Sequence, residues 1–217
     1  MQIKINLQIF IFIIVFYFTH QIGIYAVLMT FIFLHEIGHI IAGMFLGLAP
    51  KSLHITPFGL TVVFEIFNKE RIIEIKKIII AIAGPLVNLI ICIIAMFLGI
   101  NEEIKQTIIY SNILIMVLNL IPIYPLDGGR IIKSVLKLKY NEILADDISN
   151  RMSNIITIFM TMVSSILIIY FRNIAILFIL AYLWAIVVKG NKDYKLKKRM
   201  YEILNNDKNS IKKIPIE

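Results

Sequence analysis

FLHEIGHIIAG, residues 33–43, sets two histidines and a glutamate inside a long apolar run. Isoleucine, leucine and phenylalanine surround it, so a helix through this stretch carries its one charged side chain away from water. A charge at mid-helix costs on the order of 3 kcal/mol on insertion scales, which a span without a task for it would not retain. Residues four apart stand one turn above each other on the same helical face. His35 and His39 can therefore aim imidazole nitrogens at one point, a geometry that holds a metal ion. Glu36 projects about 100° round the helix from His35, beside such a metal rather than on it, where a carboxylate serves as general base for water. The plain alternative is a pair of core histidines bonded to neighbouring helices, with Glu36 in a polar seam. It leaves the insertion cost of Glu36 without a reason.

Working outward, the chain of 217 residues is 59% hydrophobic and 17% charged, with a mean hydropathy of +0.85. This composition lies outside the ordinary soluble range and predicts an integral membrane protein. Apolar blocks fall at about 5–20, 22–48, 75–99, 106–125, 152–171 and 173–189, each approaching or exceeding the length that crosses about 30 Å of hydrocarbon. The expected fold is all-α and polytopic, with about six transmembrane helices. The N-terminal stretch MQIKINLQIFIFIIVFYFTHQIG resembles a secretory signal, but no small-x-small cleavage site follows, and it reads as a retained span. The THQIG break after it is soft, and one long tilted helix across the first two blocks is the competing reading.

The formal net charge of +8 is not a nucleic-acid signal here, because the basic residues sit at the ends of apolar blocks. With six spans, every lysine and arginine except Lys105 and Arg172 falls on one side. The positive-inside rule makes that side the cytoplasm and places both termini there. Cys92 is the single cysteine and lies in an apolar run, which excludes an intrachain disulfide and a cysteine-based zinc site.

Two segments break the helical pattern. KSLHITPFGLTVVFE, residues 51–65, has β-branched residues, a Pro-Phe-Gly break and no helical period, and reads as a small β-hairpin between the second and third spans, with a plain cytoplasmic turn as the alternative. NLIPIYPLDGGR, residues 119–130, ends a span with Pro122 and Pro125 and turns on Gly128 and Gly129. Prolines at that depth are tolerated where the freed backbone is satisfied again or lines a cavity. Residues 1–190 read as one membrane-embedded domain, with its core at about 20–140. Residues 191–217 form a short basic cytoplasmic tail, too small for a core of its own and placed to lie near anionic lipid.

Two histidines leave zinc short of the three protein ligands usual in catalytic sites. A third histidine six residues past His39 would extend the motif, but that position is Phe45. Glu65, in the hairpin-like segment, and Asp127, in the Pro/Gly break, are the candidates. Asp127 is well set to present a carboxylate, and with zinc at +2 one Asp and one Glu bring the site to net zero charge. His20 and His54 read as surface or interfacial histidines.

HEIGH at 35–39, GPLVN at 84–88 and NLIPIYPLDGG at 119–129 occur in this order on three separate expected spans. In these pieces the chain resembles the site-2 proteases, a family of intramembrane zinc metalloproteases. The resemblance covers about residues 20–140, and the TPFGLTVVFE segment is similar to the sporulation branch, the stage IV sporulation protein FB type. The resemblance implies one zinc ion held by His35, His39 and Asp127, with Glu36 activating the water. It also implies that Asn119, and Asn88 with it, bind substrate or the oxyanion; interhelical hydrogen bonding is the other role open to both. Gly84 and Pro85 are expected to serve helix packing or a kink. The expected partners are a membrane-associated protein substrate, membrane regulatory proteins and the lipid bilayer, with no nucleic acid. Sporulation-type relatives cleave the pro-segment of a sigma-factor precursor, and such relatives often carry a nucleotide-sensing domain, which is not expected in this stretch.

Two other functions stand against hydrolysis. A catalytically silent membrane protein that sequesters clients would be expected to have lost Glu36 or a ligand. A metal transporter would be expected to carry further carboxylates or histidines through its spans. The sequence shows neither feature.

Overall fold

Apolar side chains that face lipid need no cover, so a membrane protein can spend its interior on polar groups. The buried residues follow that logic: His35, His39, Asn88, Asn112, Asp127, Ser149, Ser153 and Thr157 lie inside, while Phe33, Ile41, Phe45, Ile82, Leu86, Ile90 and Ile93 are exposed. The computed structural model describes residues 2–5, 8–56, 59–64, 71–171 and 175–211. Among these the chain is nearly all helical, with α1 (Gln8–Phe18), α2 (Ile22–Phe45), α3 (Arg71–Phe97), α4 (Glu102–Leu120), α5 (Asp127–Lys139), α6 (Glu142–Phe171) and α7 (Ala175–Ile211).

Three helices among the described residues are long and apolar enough to cross a membrane: Ile22–Phe45, Ile72–Phe97 and Glu142–Tyr170. The expectation of six spans is matched to that extent only. The first apolar block forms an 11-residue helix, about 17 Å at 1.5 Å per residue, against about 30 Å of hydrocarbon. It is also separate from α2. His20 adopts φ 56° between them, a left-handed conformation that breaks helical continuity, so the single long helix does not form. In α4, Glu102, Glu103 and Lys105 open the helix and Asn112 and Asn119 lie within it. Its apolarity is diluted by groups that serve the interior, Asn112 being fully buried.

α3 is the central helix. Gly38 on α2 lies so close to it that a Cβ there would meet Val87 and the Ala83 carbonyl, and this close approach is what brings the histidine face of α2 onto α3. At the other end of the chain, α6 carries Ser153, Thr157, Thr161 and Ser165, each hydroxyl donating to the carbonyl four residues back. α7 docks on that polar ridge through Trp184 Nε1, which donates to Thr161 Oγ1 at 3.0 Å, and through reciprocal amide bonds between Asn154 and Asn191. The helix runs on without a break through Gly190 to Ile211, so the basic tail continues α7.

The segment read as a hairpin or a turn contributes β2 (Pro50–Thr56) and β3 (Gly59–Phe64). They pair antiparallel, Leu53 opposite Val62 and Thr56 opposite Gly59; residues 57–58 lie outside the described residues. A third strand, β1 (Gln2–Ile5), runs parallel to β2 with Gln2 opposite Ser52 and Ile5 opposite Ile55. The sheet order β1-β2-β3 leaves β2 in the centre and β3 at one edge. The Phe64 ring at the end of β3 packs directly on Gly43, which ties the sheet to the end of α2.

Candidate metal centre

His35 and His39 reach the site from α2, and Asp127 reaches it as the first residue of α5. All three are buried to within 3% exposure. His35 Nδ1 lies 3.1 Å from Asn88 Oδ1, and Asn88 Nδ2 donates to the Asn112 carbonyl at 3.3 Å. That second bond fixes the amide so that its oxygen faces the imidazole. His39 Nδ1 lies 2.7 Å from the Ile80 carbonyl. Both Nδ1 atoms therefore face oxygen acceptors and must carry the proton, which leaves both Nε2 atoms as lone pairs.

These lone pairs point at each other and at a carboxylate. His35 Nε2 is 3.0 Å and His39 Nε2 3.1 Å from Asp127 Oδ2, and the two nitrogens are 3.1 Å apart. Three acceptors that close together, out of water, have no hydrogen bond to share; a cation satisfies all of them at once. Tetrahedral zinc with bonds of about 2.0–2.1 Å keeps its ligands about 3.3–3.4 Å apart, close to this triangle. The nitrogen and oxygen donor set suits zinc as well, and the described residues hold this one His–His–Asp group.

The backbone around the site is shaped to let these atoms meet. A Cβ on Gly84 would stand 2.5 Å from His35 Nε2 and from Cε1 and Nε2 of His39, so glycine there leaves room for the imidazoles. The expectation that Gly84 serves helix packing understates this placement. The loop after α4 folds back across the start of α5: a Cβ on Gly128 would meet the Leu120 and Ile121 carbonyls, and one on Gly129 the backbone at Ile123 and Tyr124. Ser153 Oγ accepts from Tyr124 N at 3.0 Å, so α6 holds the loop that presents Asp127. α5 itself was not anticipated. It falls between the apolar blocks at 106–125 and 152–171, and its last turn carries Lys137 and Lys139, where cations favour a helix C-terminus.

Glu36 is half-buried and, with His39, lines a cavity of about 440 Å³ whose walls include Phe64, Lys77, Tyr124 and Arg130. The carboxylate thus lines the same cavity as His39 and faces space that a substrate could enter. The two asparagines are placed differently from each other. Asn88 is fully buried and engaged with His35 and Asn112, as an interhelical hydrogen-bonding residue would be. Asn119, near the end of α4, donates to the Ile115 carbonyl at 3.1 Å and is not among the described residues that line the cavity. Glu65 lies outside the described residues. His20 is exposed between α1 and α2, and His54 falls on β2; neither belongs to the metal-suited group.

Asn88→Ala removes the acceptor that orients His35 while leaving every ligand in place. Zinc affinity is expected to fall about 10- to 100-fold, the usual effect of losing such a partner. Competition with a chromophoric chelator measures it, and unchanged affinity would show that α2 alone orients the imidazole.

Residues 101–167 match the model of Peptidase family M50. A zinc metalloprotease of Methanocaldococcus jannaschii is 28% identical over 144 residues, 63% of this chain and 41% of that protein. Stage IV sporulation protein FB of Bacillus subtilis is 31% identical over 109 residues, 48% of this chain and 37% of that one. The chain thus spans about two fifths of the length of these curated relatives. The site-2 protease structure from Methanocaldococcus jannaschii superposes with a TM-score of 0.67 at 22% identity, covering 87% of this chain and 89% of the other, a likeness of fold. Fold and site together define a membrane protein with a buried two-histidine, one-aspartate centre suited to a single zinc ion. In the matched stretches the chain is similar to the metalloproteases of peptidase family M50, and its fold is like that of a site-2 protease.

Proposed function

We propose that the protein is an intramembrane zinc metalloprotease that hydrolyses a peptide bond in or near the membrane-associated segment of a protein substrate. The observation that carries this reading is the convergence of His35 Nε2, His39 Nε2 and Asp127 Oδ2, with His39 and Glu36 both lining one cavity. Zinc held by these three residues supplies Lewis acidity for the scissile carbonyl and lowers the pKa of water. Glu36 takes the proton from the attacking water and returns it to the leaving amine. Asn88 keeps His35 in the tautomer and orientation that offer Nε2. Asn119, one turn before the Pro/Gly break, contributes to substrate or oxyanion binding.

A helical peptide bond is shielded from attack, so the substrate must be held extended. The β3 edge supports that step: its main-chain groups can pair with an added strand, and its last residue, Phe64, lines the cavity. The orientation we propose places both termini in the cytoplasm. Lys77, Lys133 and Lys137 line one cavity and Lys197 joins Lys137 on Glu142, so these basic groups gather on one side, as the positive-inside rule requires of the cytoplasmic face.

For the substrate we propose a sporulation sigma-factor precursor, a reading supported by the likeness to stage IV sporulation protein FB. Co-expression of such a precursor with the wild-type protein and with Glu36→Gln tests it. The expected result is a shortened product with the wild type alone. An uncut precursor beside a wild type that cleaves other membrane proteins would reject this substrate and keep the protease.

A further inference from the structure

The cavity that opens onto Glu36 and His39 carries positive charge that the proposed chemistry does not use. Its walls include Lys77 from α3 and Arg130, Lys133 and Lys137 from α5, against the carboxylates of Glu36 and Glu74. The α5 cations follow the spacing i, i+3, i+7, so one helical face turns all three toward the cavity.

Their partners divide them into held and available groups. Lys77 is bound to Glu74 at 2.6 Å. Lys133 lies 3.2 Å and Lys137 3.7 Å from Asp146 Oδ1, while Lys197 from α7 takes Oδ2 at 2.6 Å. Lys137 and Lys197 also meet at Glu142, at 3.3 and 2.7 Å. Three lysines thus divide two carboxylates, which leaves a positive surplus along α5. Arg130 reaches Asp127 Oδ1 at 3.5 Å, a marginal contact with a carboxylate whose other oxygen faces both imidazoles. Its side chain is 31% exposed. A guanidinium offers a planar fork of donors matched to a carboxylate, and a single long contact uses little of it.

We infer that Arg130, with Lys133 and Lys137 beside it, determines specificity by binding an Asp or Glu side chain of the substrate next to the scissile bond. The inference rests on the metalloprotease reading and names the substrate class for that site: an extended peptide segment with an acidic residue at the cut. Glu36 at the same cavity repels such a residue, and Arg130 supplies the compensating charge. An anionic lipid headgroup would be drawn to the same cations. The same walls, however, include Glu36 and His39, so an occupant of the cavity lies against the groups proposed to act on peptide.

The test uses full-length Glu36→Gln protein in neutral detergent, loaded with zinc, so that binding is read without turnover. Two fluorescein-labelled peptides share one apolar sequence and differ only in a central Asp-Asp or Asn-Asn pair; anisotropy gives their affinities. The Asp-Asp peptide is expected to bind about tenfold tighter, the usual size of an added charge-assisted hydrogen bond. Arg130→Gln in the same background should remove that advantage, and Arg130→Lys should keep part of it, while circular dichroism confirms the helical content of both. Equal affinity for the two peptides, or an advantage that survives Arg130→Gln, would overturn the inference. Displacement of the Asp-Asp peptide by equimolar phosphatidylglycerol would overturn it in favour of a headgroup site. A wild type that cleaves neither these peptides nor any other membrane segment speaks against the protease reading, whereas lost charge discrimination speaks against this one.

Discussion

Replacing Glu36 by glutamine is expected to abolish peptide hydrolysis while leaving zinc content and helical content unchanged. The substitution keeps the size of the side chain and its place on the cavity wall but removes the group that accepts a proton. Glu36 is not part of the His35, His39 and Asp127 group, so no ligand is lost with it. General acid–base catalysis contributes on the order of 100- to 10,000-fold, and Glu36 is assigned both the proton removal and its return, which places the effect at the upper end. Mass spectrometry of a membrane peptide before and after incubation measures it, with zinc per chain determined on the same sample. Activity within tenfold of wild type would assign the base to another group.

Gly84→Ala is expected to impair the centre without touching a ligand. The added methyl would stand 2.5 Å from His35 Nε2 and from two ring atoms of His39, well inside van der Waals contact. Neither ring can yield freely, because Asn88 Oδ1 fixes one and the Ile80 carbonyl the other. Relief has to come from separating α2 and α3 or from spoiling the triangle of ligand atoms. A displacement near 1 Å costs on the order of 100-fold in activity, and zinc affinity should fall along with it. Gly99→Ala is the control, since a Cβ there meets nothing within 4 Å. Equal zinc binding and activity in both variants would mean that the helices part without cost and that Gly84 serves packing alone.

The shared face of His35 and His39 on α2 was legible because spacing of four on a helix translates directly into one face, and because Glu36 stands out in an apolar span. Asp127 was legible as a carboxylate in a Pro/Gly break, but its choice over Glu65 came from resemblance, since sequence spacing does not reveal which loop folds back onto a helix. The fold back depends on Gly128 and Gly129 lying against backbone from Leu120 to Tyr124, a contact of tertiary structure. The contact of Asn88 with His35 was hidden for the same reason. A hydrogen bond from His35 on α2 to Asn88 on α3 spans 53 residues, and an asparagine in an apolar helix reads alike whether it touches substrate, a histidine or another helix. β1 escaped notice because four residues pairing in parallel with residues 52–55 leave no local pattern. α5 escaped because a short amphipathic helix rich in lysine has the composition of a loop. Counting spans from apolar blocks registers composition alone; in the first block the described helix has 11 residues and ends at the backbone turn at His20.

Three side chains from two helices are proposed to hold one zinc ion. Zinc per chain in detergent-purified protein, wild type beside Asp127→Ala, tests it most directly. About one zinc is expected in the wild type and a marked loss in the variant, because two histidines remain where catalytic zinc takes three protein ligands. Undiminished zinc in Asp127→Ala would contradict it and move the third ligand elsewhere, and a well-folded wild type without zinc would contradict the metalloprotease reading as a whole.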